Sequence, residues 1–206
     1  ERKFMLSLKR TLAGLVMSVA TVMAVAQTAT PDALIKQVSS EVIDTIKGDK
    51  TLQGGDVSKI ISLVDAKVMP HVNFQRMTAS AVGRNWRTAT PEQQKRLQEE
   101  FKTLLVRTYA GALTQVKDQT VQLKPLRAAA EDTEVVVRTE VKGKGEPIQL
   151  DYRLEKADAA WKIYDVNVLG VWLVEQYRGQ FAQDISSSGI DGLITKLAER
   201  NKGAKS

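Results

Sequence analysis

Apolar residues recur every four positions at Leu34, Val38, Val42 and Ile46, which draws one face of a helix. Thr30-Pro31 supplies an N-cap and a first-turn proline, and Gly48 ends the run. Val57, Ile60, Ile61, Val64 and Val68 predict a second helix from about Asp56 to Val68, stopped by Pro70. A short helix is expected from Asn73 to Val82, before Gly83. Thr90-Pro91-Glu92-Gln93 reads as a capping box that launches the longest helix, to about Val116. Its stripe is Leu97, Phe101, Leu104, Leu105, Thr108 and Tyr109.

From Thr120 the period changes to two. Val135, Val137, Thr139 and Val141 alternate with Glu134, Arg138 and Glu140. A turn at 143–147 leads to Ile148, Leu150, Tyr152 and Leu154, alternating with Gln149, Asp151, Arg153 and Glu155. A second turn near Asp158 precedes a strand from Trp161 to Leu169, and Val121–Leu123 completes a four-strand antiparallel meander with one apolar face. The last strand breaks phase between Ile163 and Tyr164, which requires either a bulge there or burial of both faces. Two closing helices carry Leu173, Tyr177, Phe181 and Ile185, then Leu193, Ile194 and Leu197. Helices segregated from an antiparallel sheet make the class α+β, with helices on the concave face of a curved sheet.

One stretch stands apart from this pattern. Residues 12–26 contain 12 Ala, Val, Leu or Met, follow the basic Arg2, Lys3, Lys9 and Arg10, and end in Ala24-Val25-Ala26. Residues 1–26 therefore read as a secretory signal rather than a membrane anchor, which needs about 20 strongly apolar residues. Export is the expectation, with a single domain over residues 27–200 and a polar tail over 201–206. Composition changes meaning accordingly. The 206 residues are 43% hydrophobic with a formal charge of +6, but residues 27–206 hold 26 Lys and Arg against 23 Asp and Glu, net +3. That modest charge, with acids interspersed, argues against a nucleic-acid partner.

Chemistry is sparse. No cysteine means no disulfides, no Cys-ligated metal and no thiol catalysis, and a single histidine excludes any site built on two imidazoles. No G-x-S-x-G, Walker A or H-E-x-x-H sequence occurs. Gly143-x-Gly145 runs to Pro147 in a hairpin, so it is a turn and not a phosphate cradle. His71 lies in a helix–helix connection and reads as structural. Asp151 and Asp165 are the candidate carboxylate pair, although the parity of Asp151 assigns it to the solvated face. Arg84 and Arg87 flank Trp86, either as a solvated helix end or as cations near an anionic headgroup. No catalytic residue, metal site or cofactor is expected. Val166–Val174 is almost continuously apolar where strand passes into helix, so a cavity between sheet and helices competes with ordinary core packing.

Three blocks resemble a known family. They are Trp86-Arg-Thr-Ala-Thr-Pro-Glu-Gln-Gln94 continuing through Phe101 to Thr108-Tyr109-Ala110; Trp161-Lys-Ile-Tyr-Asp165-Val with Gly170-Val171 and Gln176-Tyr-Arg178-Gly-Gln-Phe181; and Gly189-Ile-Asp-Gly-Leu193. Together they are similar to the periplasmic phospholipid-binding (MlaC) component of the Mla lipid-asymmetry ABC transport system, also called the toluene-tolerance auxiliary protein. The resemblance implies a nuclear-transport-factor-2-like cone that buries acyl tails in an apolar cavity. It also implies exchange of lipid between an outer-membrane lipoprotein–porin complex and the lipid-binding subunit of an inner-membrane ABC transporter. Parity and motif together mark Val82, Leu105, Tyr109, Val137, Leu150, Tyr152, Val168, Val171, Trp172 and Val174 as lining, Met69 near the entrance, and Arg84 and Arg87 at the headgroup. Leu169 and Trp172 depart from the family pattern, which has an acid before the Gly-Val and a small hydroxyl after it; Trp172 is expected at the pocket mouth. A cone-shaped enzyme with a cavity acid or base, and a ligand-free periplasmic adaptor, are the competing readings.

Overall fold

The structure, a computed structural model, describes residues 29–116, 118–158 and 160–203; the leader and the last three residues lie outside them. The N-terminal helices are α1 (Pro31–Gly48), α2 (Lys50–Gln53) and α3 (Val57–Leu63), which continues as a π-helical turn over Val64–Val68. A 3-10 turn, Met69–His71, leads to α4 (Phe74–Val82), a second such turn (Gly83–Arg87) and α5 (Pro91–Leu113). Local chemistry explains most of these boundaries. Thr90 Oγ1 accepts from the Gln93 N–H at 3.2 Å while Gln93 Oε1 accepts from the Thr90 N–H at 3.0 Å, a complete capping box. Asp56 and Asn73 cap α3 and α4 through the N–H groups of Lys59 and Arg76. Thr30 occupies the N-cap of α1 but its hydroxyl engages the Asp32 side chain instead of the backbone.

Five strands follow: β1 (Thr120–Leu123), β2 (Glu134–Lys142), β3 (Ile148–Ala157), β4 (Ala160–Val168) and β5 (Val171–Trp172). They form one antiparallel sheet in sequential order, so the expected four-strand count is corrected by a two-residue fifth strand. β4 and β5 are joined by Leu169-Gly170, both at positive φ (52° and 90°), the geometry of a tight primed hairpin turn. The phase break is a bulge. Arg153 pairs with Asp165 and Leu154 with Ile163, leaving Tyr164 unopposed. Ile163, Val166 and Val168 thereby share the inner face, and Tyr164 turns to the outer one.

The chain ends in α6 (Leu173–Gly203), broken at Gly189, whose φ of 71° and ψ of −178° suit only glycine. This break divides the two predicted closing helices. The helix also runs past the expected domain limit: Asn201 is buried and its amide donates to the Glu100 carbonyl at 2.9 Å and carboxylate at 2.8 Å.

Packing produces three buried clusters. The first joins α4, α5 and α6 around Phe101, whose ring meets Tyr177 at 5.0 Å and Phe181 at 5.1 Å, edge to face. A second packs Leu34, Ile35 and Val38 of α1 onto Val135, Val137, Leu154 and Ile163 of the sheet. The third joins Ile46, Leu52, Ile60 and Leu63 to Val106 and Ala110 of α5.

Candidate functional site

The sheet register sorts the inner face into rows. Val135, Leu154 and Ile163 form one end, followed by Val137, Tyr152 and Val166, then Thr139, Leu150 and Val168, and finally Val141 and Ile148. Six residues of strand, about 20 Å, separate Leu154 from Ile148. Burial falls along that distance. Leu154 is fully enclosed under α1, Leu150 and Val168 are half-buried, and Ile148 is 42% exposed. Beside Ile148 the β4–β5 turn presents Leu169 at 66% and Val171 at 49% exposure, so the three exposed large apolar residues among the described residues share one rim. An inward-facing apolar side chain that keeps accessible surface borders open space and not packed core.

Tyr152 carries this signature most clearly. Its ring is half-buried by exposed area, yet burial pushes its hydroxyl up from the ordinary value of 10.0 despite interactions with Ser39 and Thr139 that pull the other way. The hydroxyl is therefore desolvated and held by Ser39 and Thr139, while part of the ring keeps accessible surface. Tyr109 on α5 is half-buried and its hydroxyl is likewise raised by desolvation, with Tyr177 adding to the shift. Leu105 is half-buried against the helical cluster, and Met69 is half-buried in its 3-10 turn.

The remaining predicted positions divide in two ways. Val82, Val137 and Val174, at 2%, 1% and 5% exposure, sit inside closed clusters and fill core instead of bordering space. Trp172 is turned away from the inner face. Val171 pairs with inward Val168, so its neighbour must pair with outward Asn167, and the Trp172 ring lies 3.9 Å beneath the Arg153 guanidinium. Arg84 and Arg87 are exposed on the turn after α4, without an ionic partner among the described residues. Trp86 between them packs against the helical cluster. The lining residues expected from the sequence leave out Val141, Ile148 and Val166, inner-face neighbours of these rows, and Ser39, the α1 contact of Tyr152. The alternation of β2 and β3 contained the signal for the first two, but their place at the open end is a tertiary fact.

Neither acid–base candidate assembles a reactive centre. Asp151 lies opposite Asn167 and Arg138, while Asp165 lies opposite Arg153, so the two carboxylates are not partners. Asp151 is on the outer face as expected but is 5% exposed, not solvated. Asp165 is fully buried; burial raises its carboxyl above 3.8, opposed by the N–H groups of Val174 and Val166 and by Arg153 at 3.0 Å. Its Oδ1 accepts from Val174 N–H at 3.1 Å, which ties the start of α6 to β4. His71 is half-buried beside Lys162, whose ammonium donates to the Pro70 carbonyl.

A family model described as MlaC protein matches residues 36–199. The intermembrane phospholipid transport system binding protein MlaC of Haemophilus influenzae is 24% identical over 180 residues, covering 85% of this chain and 84% of that protein. The toluene tolerance protein ttg2D of Pseudomonas putida is 26% identical over 182 residues, covering 85% of each. Among solved structures, a phospholipid-binding protein from Ralstonia solanacearum, in complex with a phospholipid, is 51% identical. It superposes with a TM-score of 0.84 over 86% of this chain and 100% of that one. The match to the family model over most of its length places this chain in the MlaC protein family.

Proposed function

We infer that this protein is a phospholipid carrier that takes acyl tails into the space beneath its sheet and holds the headgroup at the rim. The carrying observation is the graded inner face, closed at Leu154 and opening through Tyr152, Leu150 and Val168 onto Ile148 and Val171. The phospholipid complex of the Ralstonia relative supports the same reading. Leu105, Tyr109, Leu150, Tyr152, Val168 and Val171 line the tails, and Met69 borders the entrance.

The energetics explain why such a protein needs no nucleophile or metal. At about 0.8 kcal/mol per CH₂, stripping roughly 30 methylenes of a diacyl lipid into water costs about 24 kcal/mol. Non-covalent affinities saturate near about 18–21 kcal/mol, so a carrier lowers that barrier without binding irreversibly. Membership in a family whose named relatives include an intermembrane phospholipid transport binding protein supports a periplasmic shuttle. Its partners are then an inner-membrane ABC transporter and an outer-membrane lipoprotein–porin complex. No described helix is long and apolar enough to cross a membrane.

Protein purified from bacteria is expected to carry phospholipid, detected by native mass spectrometry and by organic extraction. An empty protein that also takes up no lipid from phospholipid vesicles would sink this reading.

A further inference from the structure

The outer face of the sheet carries an open groove of about 700 Å³, on the side away from the lipid-facing rows. Its position follows from where β1 ends. β1 tracks β2 from Thr120 opposite Lys142 to Leu123 opposite Thr139, and the Lys124 N–H adds a last bond to the Arg138 carbonyl at 2.9 Å. Pro125 has no N–H to continue the ladder, and Leu126 turns in against the second cluster. β2 nevertheless begins at Glu134, so its first four residues have β3 on one side and no strand on the other. Backbone groups along an antiparallel strand point alternately to either neighbour. Because Arg138 directs its carbonyl toward β1, Val136 two residues earlier directs its N–H and C=O to that same open side.

The groove lined by this edge is basic. Lys124 is held by Glu140 at 2.6 Å and Arg153 by Asp165 at 3.0 Å. Arg127 and Arg138 line it with guanidiniums that have no ion pair or hydrogen bond among the described residues. The single acid in the lining, Glu134, is already engaged by Arg76 at 2.6 Å and by the Tyr164 hydroxyl at 3.2 Å. An unpaired edge flanked by like charges resists pairing with a second copy of itself, and admits a strand of opposite sign.

We propose that this groove takes an extended acidic segment of a partner protein, which adds to the β2 edge at Val136 and sets its carboxylates against Arg127 and Arg138. Backbone hydrogen bonds supply the register, and the two free guanidiniums supply charge-assisted selectivity. The inference is independent of the lipid reading, since the groove and the inner rows lie on opposite faces.

The test is a titration of the full, isotope-labelled chain with a short peptide of alternating Glu and Val. Controls are the same peptide with Lys for Glu, inorganic phosphate, and phosphatidylglycerol vesicles. Saturable shifts of the Val136 and Arg138 amides are expected, with exchange of the Val136 amide slowed by about tenfold or more. The Lys peptide leaves both unchanged. The double variant Arg127→Glu/Arg138→Glu, with an unaltered melting curve, weakens the Glu peptide by about tenfold or more. Absence of a saturable shift overturns the proposal, as does equal binding of the Lys peptide or wild-type affinity in the double variant. Phosphate reproducing every shift would reduce the groove to an anion contact, and vesicles alone moving Val136 would assign it to a membrane surface; either overturns it.

Discussion

Whether an inner side chain fills core or borders open space can be decided by truncating one of each. Phe101 is completely buried and touches three rings, those of Tyr177, Phe181 and Phe74. Phe101→Ala removes those contacts and leaves a void, a change that costs about 3–5 kcal/mol. Leu150 is half-buried; if it lines the proposed lipid space, Leu150→Ala loses only part of one side chain's transfer energy, about 1 kcal/mol, and opens no new cavity. In a domain of this size each kcal/mol moves Tm by about 2–4 °C. Thermal scans of the delipidated protein by circular dichroism should therefore show a drop of about 6–20 °C for Phe101→Ala and about 2–4 °C for Leu150→Ala. Reloading with phospholipid raises Tm through binding to the folded state, by the same amount in wild type and Phe101→Ala but by less in Leu150→Ala. If Leu150→Ala costs the empty protein as much as Phe101→Ala, Leu150 is packed core and does not line a lipid space.

Two further outcomes follow from backbone and charge. Gly189→Ala meets no atom within 4 Å, so its cost is conformational alone, about 1–3 kcal/mol, and should appear as a lower denaturation midpoint with an unchanged slope in urea. Asp165, raised above 3.8 by burial, takes up its proton in the folded state before the unfolded one, so its protonation stabilises the fold as pH falls. Glu134, held low by Arg76, behaves oppositely: its contribution is present above the unfolded value and is lost as pH falls through the folded one. Asp165→Asn deletes the opposing contribution, so Tm should fall more steeply between neutral pH and about 4 in the variant than in wild type. A shallower decline would contradict the assignment.

Helix starts were readable because their signals are local: Thr90 and Gln93 bond each other, and Asp56 and Asn73 each cap within three residues. Strand faces were readable wherever alternation ran for several residues, as in β2 and β3. Alternation does not extend to β5, whose two residues contain no period, and only the pairing with Asn167 turns Trp172 away from the expected lining. At Ile163-Tyr164 the phase break was visible, but only the pairing with Arg153 and Leu154 distinguishes a bulge from two-sided burial. Val137 and Leu150 have the same parity on neighbouring strands, yet one is sealed under α1 and the other is not. That difference depends on where the helix ends over the sheet, which neither strand encodes. Asp151 illustrates the same limit, since alternation assigned its face but not its cover.

The three buried clusters are connected in series by two helices. α1 contributes Leu34 and Val38 to one and Ile46 to the next; α5 contributes Val106 and Ala110 to that same cluster and Phe101 and Leu104 to the last. The series closes into a ring at Val166, a partly buried residue that packs against both the sheet cluster and the helical one. Val166 is the apolar member of that closing joint; beside it Asp165 accepts from the Val174 N–H, Arg76 of α4 pairs with Glu134 of β2, and the Asn73 N–H bonds the Ile163 carbonyl. Sheet and helices are thus joined by polar contacts as well as by Val166, so any widening between them has to open those contacts together with the Val166 packing.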